Sequence, residues 1–389
     1  MPRGMQGFEF KFQADHQTEV LESGGKAMAA EDCQSTGKRT AGSGRVSRQQ
    51  QKNFKNAPMG KTTFIFMKII CLDYNDLIWP ITEFFERAEW DDILEEGDKK
   101  PKAIVMWNDI IDIYQELCVV AGRHGIPTFM FQHGRGAFRD YISGRMSKRN
   151  ASIAFCWGEK DRQMAIKGGW TEETAIRIGS PLFAKRPKKQ EEKGTVIFDA
   201  PHWDIEIPEG YLAWDKLNQI KDIKPVAKLL KGQAHDTKFY YGYSLTTDRR
   251  LSGHLETTYD LLSKASCVVT MIEGTLELMA YSLDIPVIHL EGLEKRPLLG
   301  ADQPDEDYLP SRAATTATMD NLEEKVKEAI EHPELKREER REVLLEEGGD
   351  PDKDTPYQTM VSEIKRVAYE IDKAKNTGVP DGLVRSRNA

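Results

Sequence analysis

Residues 102 to 134 read KAIVMWNDIIDIYQELCVVAGRHGIPTFMFQHG, and the fold turns on how they are read. KAIVMWND (102–109) is an apolar run of the length of a buried strand. Ile110 to His124 then spaces its apolar residues as a helix does, and Gly125 follows as a residue suited to the left-handed turn that ends helices. PTFMFQHG (127–134) returns as a strand closed by a glycine turn. Strand, helix and strand in this order make a crossover between parallel neighbours.

The same alternation runs outward from this unit. FIFMKIICLD (64–73) reads as a strand and Pro80 to Arg87 as a short helix with proline at its first position. SIAFCWG (152–158), Lys160 to Gly168 and AIRIGSP (175–181) continue strand, helix, strand. PLFAKRPKKQEEKG (181–194) is charged, holds two prolines and has no apolar face, so 185–193 reads as a linker. A second series follows, with strands at GTVIFDAP (194–201), PVAKLLK (225–231), TKFYYG (237–242), SCVVTMI (266–272) and IPVIHLE (285–291). Helices are expected at Tyr211 to Ile220, Leu255 to Lys264, Thr275 to Leu283, Asn321 to Glu331 and Tyr357 to Ile371, with mixed helix and loop over 333–355. The expected class is α/β: two Rossmann-like parallel-sheet domains, 62–184 and 194–375, facing each other across a cleft.

Residues 1–61 differ from this text and read as a disordered tail, as do 376–389. Residues 1–60 carry nine Lys/Arg against six Asp/Glu, net +3, which leaves −11 on the rest of a chain whose total is −8. MKIICLD, from Met67, reads as an older start of the protein. The acidic balance argues against a protein that coats nucleic acid. No stretch approaches the ~18–20 apolar residues of a membrane helix; the longest, Phe64 to Leu72, is broken by Lys68. The N-terminus lacks the apolar core of a secretory leader. Five cysteines, none in a CxxC pair and four in apolar runs, suit buried thiols in a reducing, cytoplasmic setting and not a metal site.

Ligands of open parallel sheets sit beyond the carboxyl ends of the strands. Four stretches fall there or close by. Gln132-His133-Gly134-Arg135-Gly136 offers a histidine for general-base work, an arginine for phosphate or carboxylate, and glycines that let backbone approach a ligand. A turn whose histidine merely holds a carbonyl fits the same residues. Asp109, ending its strand, is the accompanying acid/base candidate. Glu273-Gly274-Thr275 opens a helix, whose free amides suit a phosphate, although threonine caps helices in any case. His202, in DAPHWD, has Trp203 beside it for stacking. In AKLLKGQAHD, Lys228 and Lys231 point to opposite faces of a strand, and His235 follows them. His254 and His289 read as structural.

Together these segments resemble the GT-B glycosyltransferase superfamily, with its relatives the non-hydrolysing UDP-N-acetylglucosamine 2-epimerases and the CDP-glycerol glycerophosphotransferases. The resemblance rests on GIPTFMFQHG, SIAFCWGEKDRQMAIKGGW with AIRIGSP, VAKLLKGQAHD, and SKASCVVTMIEGTLELMAYSLDIPVIHLE. It implies that His133 is the base on an acceptor hydroxyl and that Gly274 and Thr275 hold the donor diphosphate, with His235 near it; from their place in the chain alone, Glu273, His202, Lys228 and Arg135 are further phosphate- or nucleotide-side candidates. It departs from the pattern where the ribose-binding glutamate falls at Met279, its nearby glycine at Asp284 and a small residue at Glu273. Glu277, two residues before Met279, points about 200° away on a helix.

The implied activity is metal-independent transfer of a sugar from a nucleotide-sugar co-substrate, with no other cofactor, in surface polysaccharide or glycoconjugate synthesis. The acceptor would be a glycan, a lipid-linked precursor or a small molecule, and peripheral membrane contact stays open. An epimerase-like or glycerophosphotransferase-like enzyme, the epimerase using Asp109 and Glu273, is the second reading. A non-catalytic binding protein is the third.

Overall fold

The computed structural model describes residues 67–72, 79–107, 109, 112–142, 149–190, 192–199, 208–228, 255–271, 274–291 and 311–377. All of them belong to one compact unit, Phe64–Ala389. The tail expected over 1–61, the strand expected at 237–242, and Glu273, His202 and His235 lie outside the described residues.

Two parallel sheets carry the chain. The first contains β1 (Lys68–Leu72), β2 (Glu86–Arg87), β3 (Ala103–Met106), β4 (Thr128–Phe131), β5 (Ile153–Cys156) and β6 (Ala175–Arg177), in the order β2-β1-β3-β4-β5-β6. The second contains β7 (Thr195–Asp199), β8 (Lys224–Lys228), β9 (Cys267–Thr270), β10 (Val287–Leu290) and β11 (Thr315–Ala317), in the order β11-β10-β9-β7-β8. Every pairing is parallel. Strands covered on both faces must be apolar throughout, and AIVM, TFMF, IAFC, CVVT and VIHL are buried at all positions.

Helices fill the crossovers: α1 (Asp112–Arg123), α2 (Arg139–Ile142), α3 (Glu159–Lys167), α4 (Pro208–Gln219), α5 (Leu255–Ser263), α6 (Thr275–Ser282), α7 (Leu322–Glu331), α8 (Arg337–Glu347) and α9 (Pro356–Thr377). Helix α1 stops as its sequence demands, with Gly125 at φ 64° and the Ile126 amide bonded back to the Ala121 carbonyl at 2.9 Å. Among the described residues no helix is long and apolar enough to cross a membrane. Cys71, Cys118, Cys156 and Cys267 are buried, and burial pushes the Cys118 and Cys267 thiols up to about 12.

Three expectations change. Trp79–Phe84 is a 3-10 segment followed by the edge strand β2, not an α-helix reaching Arg87. Strand β11 was not expected. The last described helix does not stay with the second sheet, as a 194–375 domain requires, and it runs on to Thr377. Helix α9 crosses back to the first sheet. Met360, Ile364 and Val367 join a core with Ile69, Ile81 and Phe85, Lys365 Nζ lies 5.6 Å from the Phe85 ring centre, and Lys102 bonds Asp372 at 3.2 Å. That core also takes in Phe129 and Phe155, stacked at 5.4 Å, and Ile197, Val268 and Val287 of the second sheet. Each such side chain contributes about 1.5–3 kcal/mol on burial.

Two glycines fix how closely the halves approach. A Cβ on Gly158, after β5, would stand 2.0 Å from the Glu346 carbonyl oxygen at the end of α8. Gly179, after β6, has φ 81° and would meet Asp354. The neighbouring Ser180 amide bonds the Gly348 carbonyl at 2.7 Å. These strand-end loops of the first sheet therefore receive the 346–354 segment, which is why they need glycine there.

Candidate functional site

The loop after β4 is built on Gln132. Its side chain is fully buried and is held at both ends: Oε1 accepts the Trp157 amide at 2.6 Å, and Nε2 donates to the Gly134 carbonyl at 2.9 Å. The loop's backbone is thus fixed before any ligand arrives. His133 stands half-buried on it, edge-on to Trp107 with ring centres 5.0 Å apart. Its Nδ1 lies 3.1 Å from the Trp107 carbonyl oxygen. A carbonyl only accepts, so Nδ1 carries the proton and Nε2 is the basic atom of the neutral ring.

The second sheet brings the start of α6 to this loop. Gly274 precedes the helix in extended conformation, and among the described residues a Cβ there would meet nothing within 4 Å. Thr275 Oγ1 accepts the Arg135 amide at 3.2 Å and lies 3.5 Å from where a Gly134 Cβ would be. His133, Gly134, Gly274 and Thr275, far apart in sequence, therefore meet at one place.

Arg135 does not face that place. Its side chain is 2% exposed and lies between two carboxylates: Nη1 donates to Glu277 Oε2 of α6, and Nε donates to Glu347 Oε2 of α8. Glu347 Oε1 takes Lys160 Nζ of α3 at 2.6 Å. Burial pushes the Glu347 carboxyl up, but Arg135 and Lys160 outweigh it and hold it below its ordinary value. The expectation that Arg135 binds phosphate is overturned, because its charge is spent inside the protein. His289 of β10 is fully buried next to this cluster, with Nδ1 3.9 Å from Glu277 Oε1. Neither its ring nitrogens nor Glu277 Oε1 has a hydrogen-bond partner among the described residues.

Asp109 also takes a structural part. It is fully buried, Oδ1 accepts the Tyr141 hydroxyl, and Oδ2 accepts the Asn150 and Ala151 amides, each at 2.8 Å. Its own carbonyl accepts Asn150 Nδ2 at 2.8 Å. Such a carboxylate pins the 149–151 segment and has no free face toward a ligand. Lys228 pairs with Asp199 at 3.4 Å, each at the carboxyl end of its strand and in register. Asp284 has φ 55°, the backbone shape that favours glycine, and uses its carboxylate on Arg337 and Arg340. Met279 is 4% exposed and belongs to the core. Glu277 and Glu347 were missed as site residues. The available signal was Glu277 itself, a lone carboxylate among apolar residues in TLELMAYS.

No protein-family model matches the chain, and a comparison with curated proteins finds no match. Solved structures do. The wall teichoic acid polymerase TagF superposes with a TM-score of 0.51 at 12% identity, covering 79% of this chain and 89% of that one. The UDP-GlcNAc 2-epimerase from Neisseria meningitidis, bound to UDP-GlcNAc, gives 0.51 at 11% identity, covering 77% and 100%. The chain has the GT-B fold, as the sequence resemblance implied.

Proposed function

We propose that the chain is a nucleotide-sugar-dependent glycosyltransferase, with the donor diphosphate at Gly274–Thr275 and His133 as base on an acceptor hydroxyl. The observation that carries this is the meeting of a histidine, whose Nε2 is left basic by the Trp107 carbonyl, with a helix start. The first amides of α6 and the Thr275 hydroxyl would hold phosphate oxygens, and charge building on the leaving diphosphate would be stabilised there. The similar fold of an epimerase solved with UDP-GlcNAc supports a uridine nucleotide as the first ligand to try. The epimerase-like reading is weakened, because Asp109 has no free oxygen for acid/base work. Met279 supports a second reading: with an apolar core residue where the resemblance puts the ribose carboxylate, the cleft would bind nucleotide without turning it over.

Thermal shifts with UDP, CDP, GDP, TDP and their sugars test both. A ligand at 100 times its Kd stabilises the fold by ~2.7 kcal/mol. No shift with any of them removes both readings. A shift, with turnover abolished in His133→Ala while that shift persists, supports the transferase; full turnover in His133→Ala removes His133 as the base.

A further inference from the structure

We propose that Arg135 is a positioning residue that sets the direction of the Thr275 hydroxyl. The oxygen accepts the Arg135 amide at 3.2 Å, so the hydroxyl proton must leave in another direction, and among the described residues nothing fills the space beside the neighbouring Gly274. What keeps the amide in place is the far end of the same residue. The guanidinium is buried and clamped by Glu277 and Glu347, on two different helices of the second half, and Lys160 braces Glu347 from the first. Gln132 fixes the loop from the other side through the Trp157 amide and the Gly134 carbonyl. The loop that carries His133 and the helix that carries Thr275 are thereby held as one body. A planar guanidinium suits this task, since its donors lie in a fixed fork that meets two carboxylates at once. The identity of the anion that Thr275 meets rests on the proposed function; the strut itself does not.

The experiment uses the full chain with Arg135→Lys, Glu277→Gln and the double variant Arg135→Met/Glu277→Met. Apolar replacement of a buried ion pair tends to keep or raise stability, and Glu347 keeps Lys160 as its partner, so the double variant separates folding from positioning. Hydrogen exchange across residues 131–137 and UDP affinity by calorimetry are read together. In the double variant, melting within a few degrees of the parent is expected, with loop exchange about tenfold faster and UDP binding about tenfold weaker. Thr275→Val is expected to lose the same UDP affinity and Thr275→Ser to restore it. Arg135→Lys keeps the charge and loses the fork, and serves if the double variant does not fold; its loop exchange is expected to rise as well. Parent-like loop exchange in a folded variant overturns the strut. If the parent binds no UDP, the nucleotide reading falls and the strut is judged on exchange alone.

Discussion

Asp109 and Glu277 are both buried carboxylates beyond the carboxyl end of a parallel sheet, one in each half, and they are treated in opposite ways. Around Asp109, neutral donors reach the carboxylate: the Tyr141 hydroxyl and two backbone amides from the 150–151 turn, all in its own half. Around Glu277, one oxygen meets the guanidinium of Arg135 from the other half, and the second, 3.9 Å from His289 Nδ1, has no hydrogen-bond donor among the described residues. The first arrangement is complete in itself and makes a turn. The second is incomplete without the other half and joins two sheets. Burial of a charged group at a strand end does not by itself mark a reacting group; what its partners belong to says which task it has.

Loss of the Glu277 carboxylate is the costliest of these changes. Glu277→Ala strands a buried guanidinium on one side, and a loss of about 3–5 kcal/mol in urea unfolding is expected. A loss below 1 kcal/mol would mean that the cluster is not buried in solution.

Asp161 of α3 is a third case, a buried carboxyl for which burial outweighs the groups around it. Burial raises its carboxyl to about 7, against a lowering hydrogen bond from Gln132. Between its ordinary value of 3.8 and about 7 the unfolded chain gives up the proton while the folded chain keeps it. Stability therefore falls as pH rises through that window, by about 1.4 kcal/mol per unit crossed. Asp161→Asn is expected to flatten that slope and to gain most against the parent above pH 7. A parent whose unfolding free energy holds steady from pH 4 to 7, once other groups are matched in the variant, contradicts this.

Asp109→Asn keeps the shape and weakens the charge-assisted bonds. A cost of about 1–3 kcal/mol is expected, with nucleotide shifts unchanged. Lost turnover at unchanged stability would return Asp109 to the chemistry. The smallest effect belongs to the partly covered Lys228–Asp199 pair. Lys228→Met is expected to cost no more than about 1 kcal/mol in the same unfolding assay, and a larger cost would give the pair a structural weight it lacks here.

Much of this was readable in the chain. Apolar runs such as AIVM and TFMF are long enough and pure enough to announce buried parallel strands, and Gly125 marks a helix end by its chemistry alone. TTA at 315–317 is too short and too polar to announce β11, and WPITEF has no second turn to distinguish a 3-10 segment from a helix. At the site, strand-end position singled out His133, Gly274 and Thr275, whose segments the structure brings together. It could not tell which way Arg135 turns, because the deciding carboxylates stand 142 and 212 residues away. The return of α9 is hidden for the same reason, since its Asp372 contact spans 270 residues.

That returning helix also orders events in time. Met360, Ile364 and Val367 cover side chains around Ile81 and Phe85 that are synthesised nearly three hundred residues earlier. On the ribosome the first sheet stays without its last cover until the second sheet and α9 have emerged, so the half made first is finished last. A chain released before Pro356 would leave Ile81 and Phe85 open to water and to proteases, and nicking of stalled chains in the 79–88 segment, ending once α9 is out, is the trace this would leave.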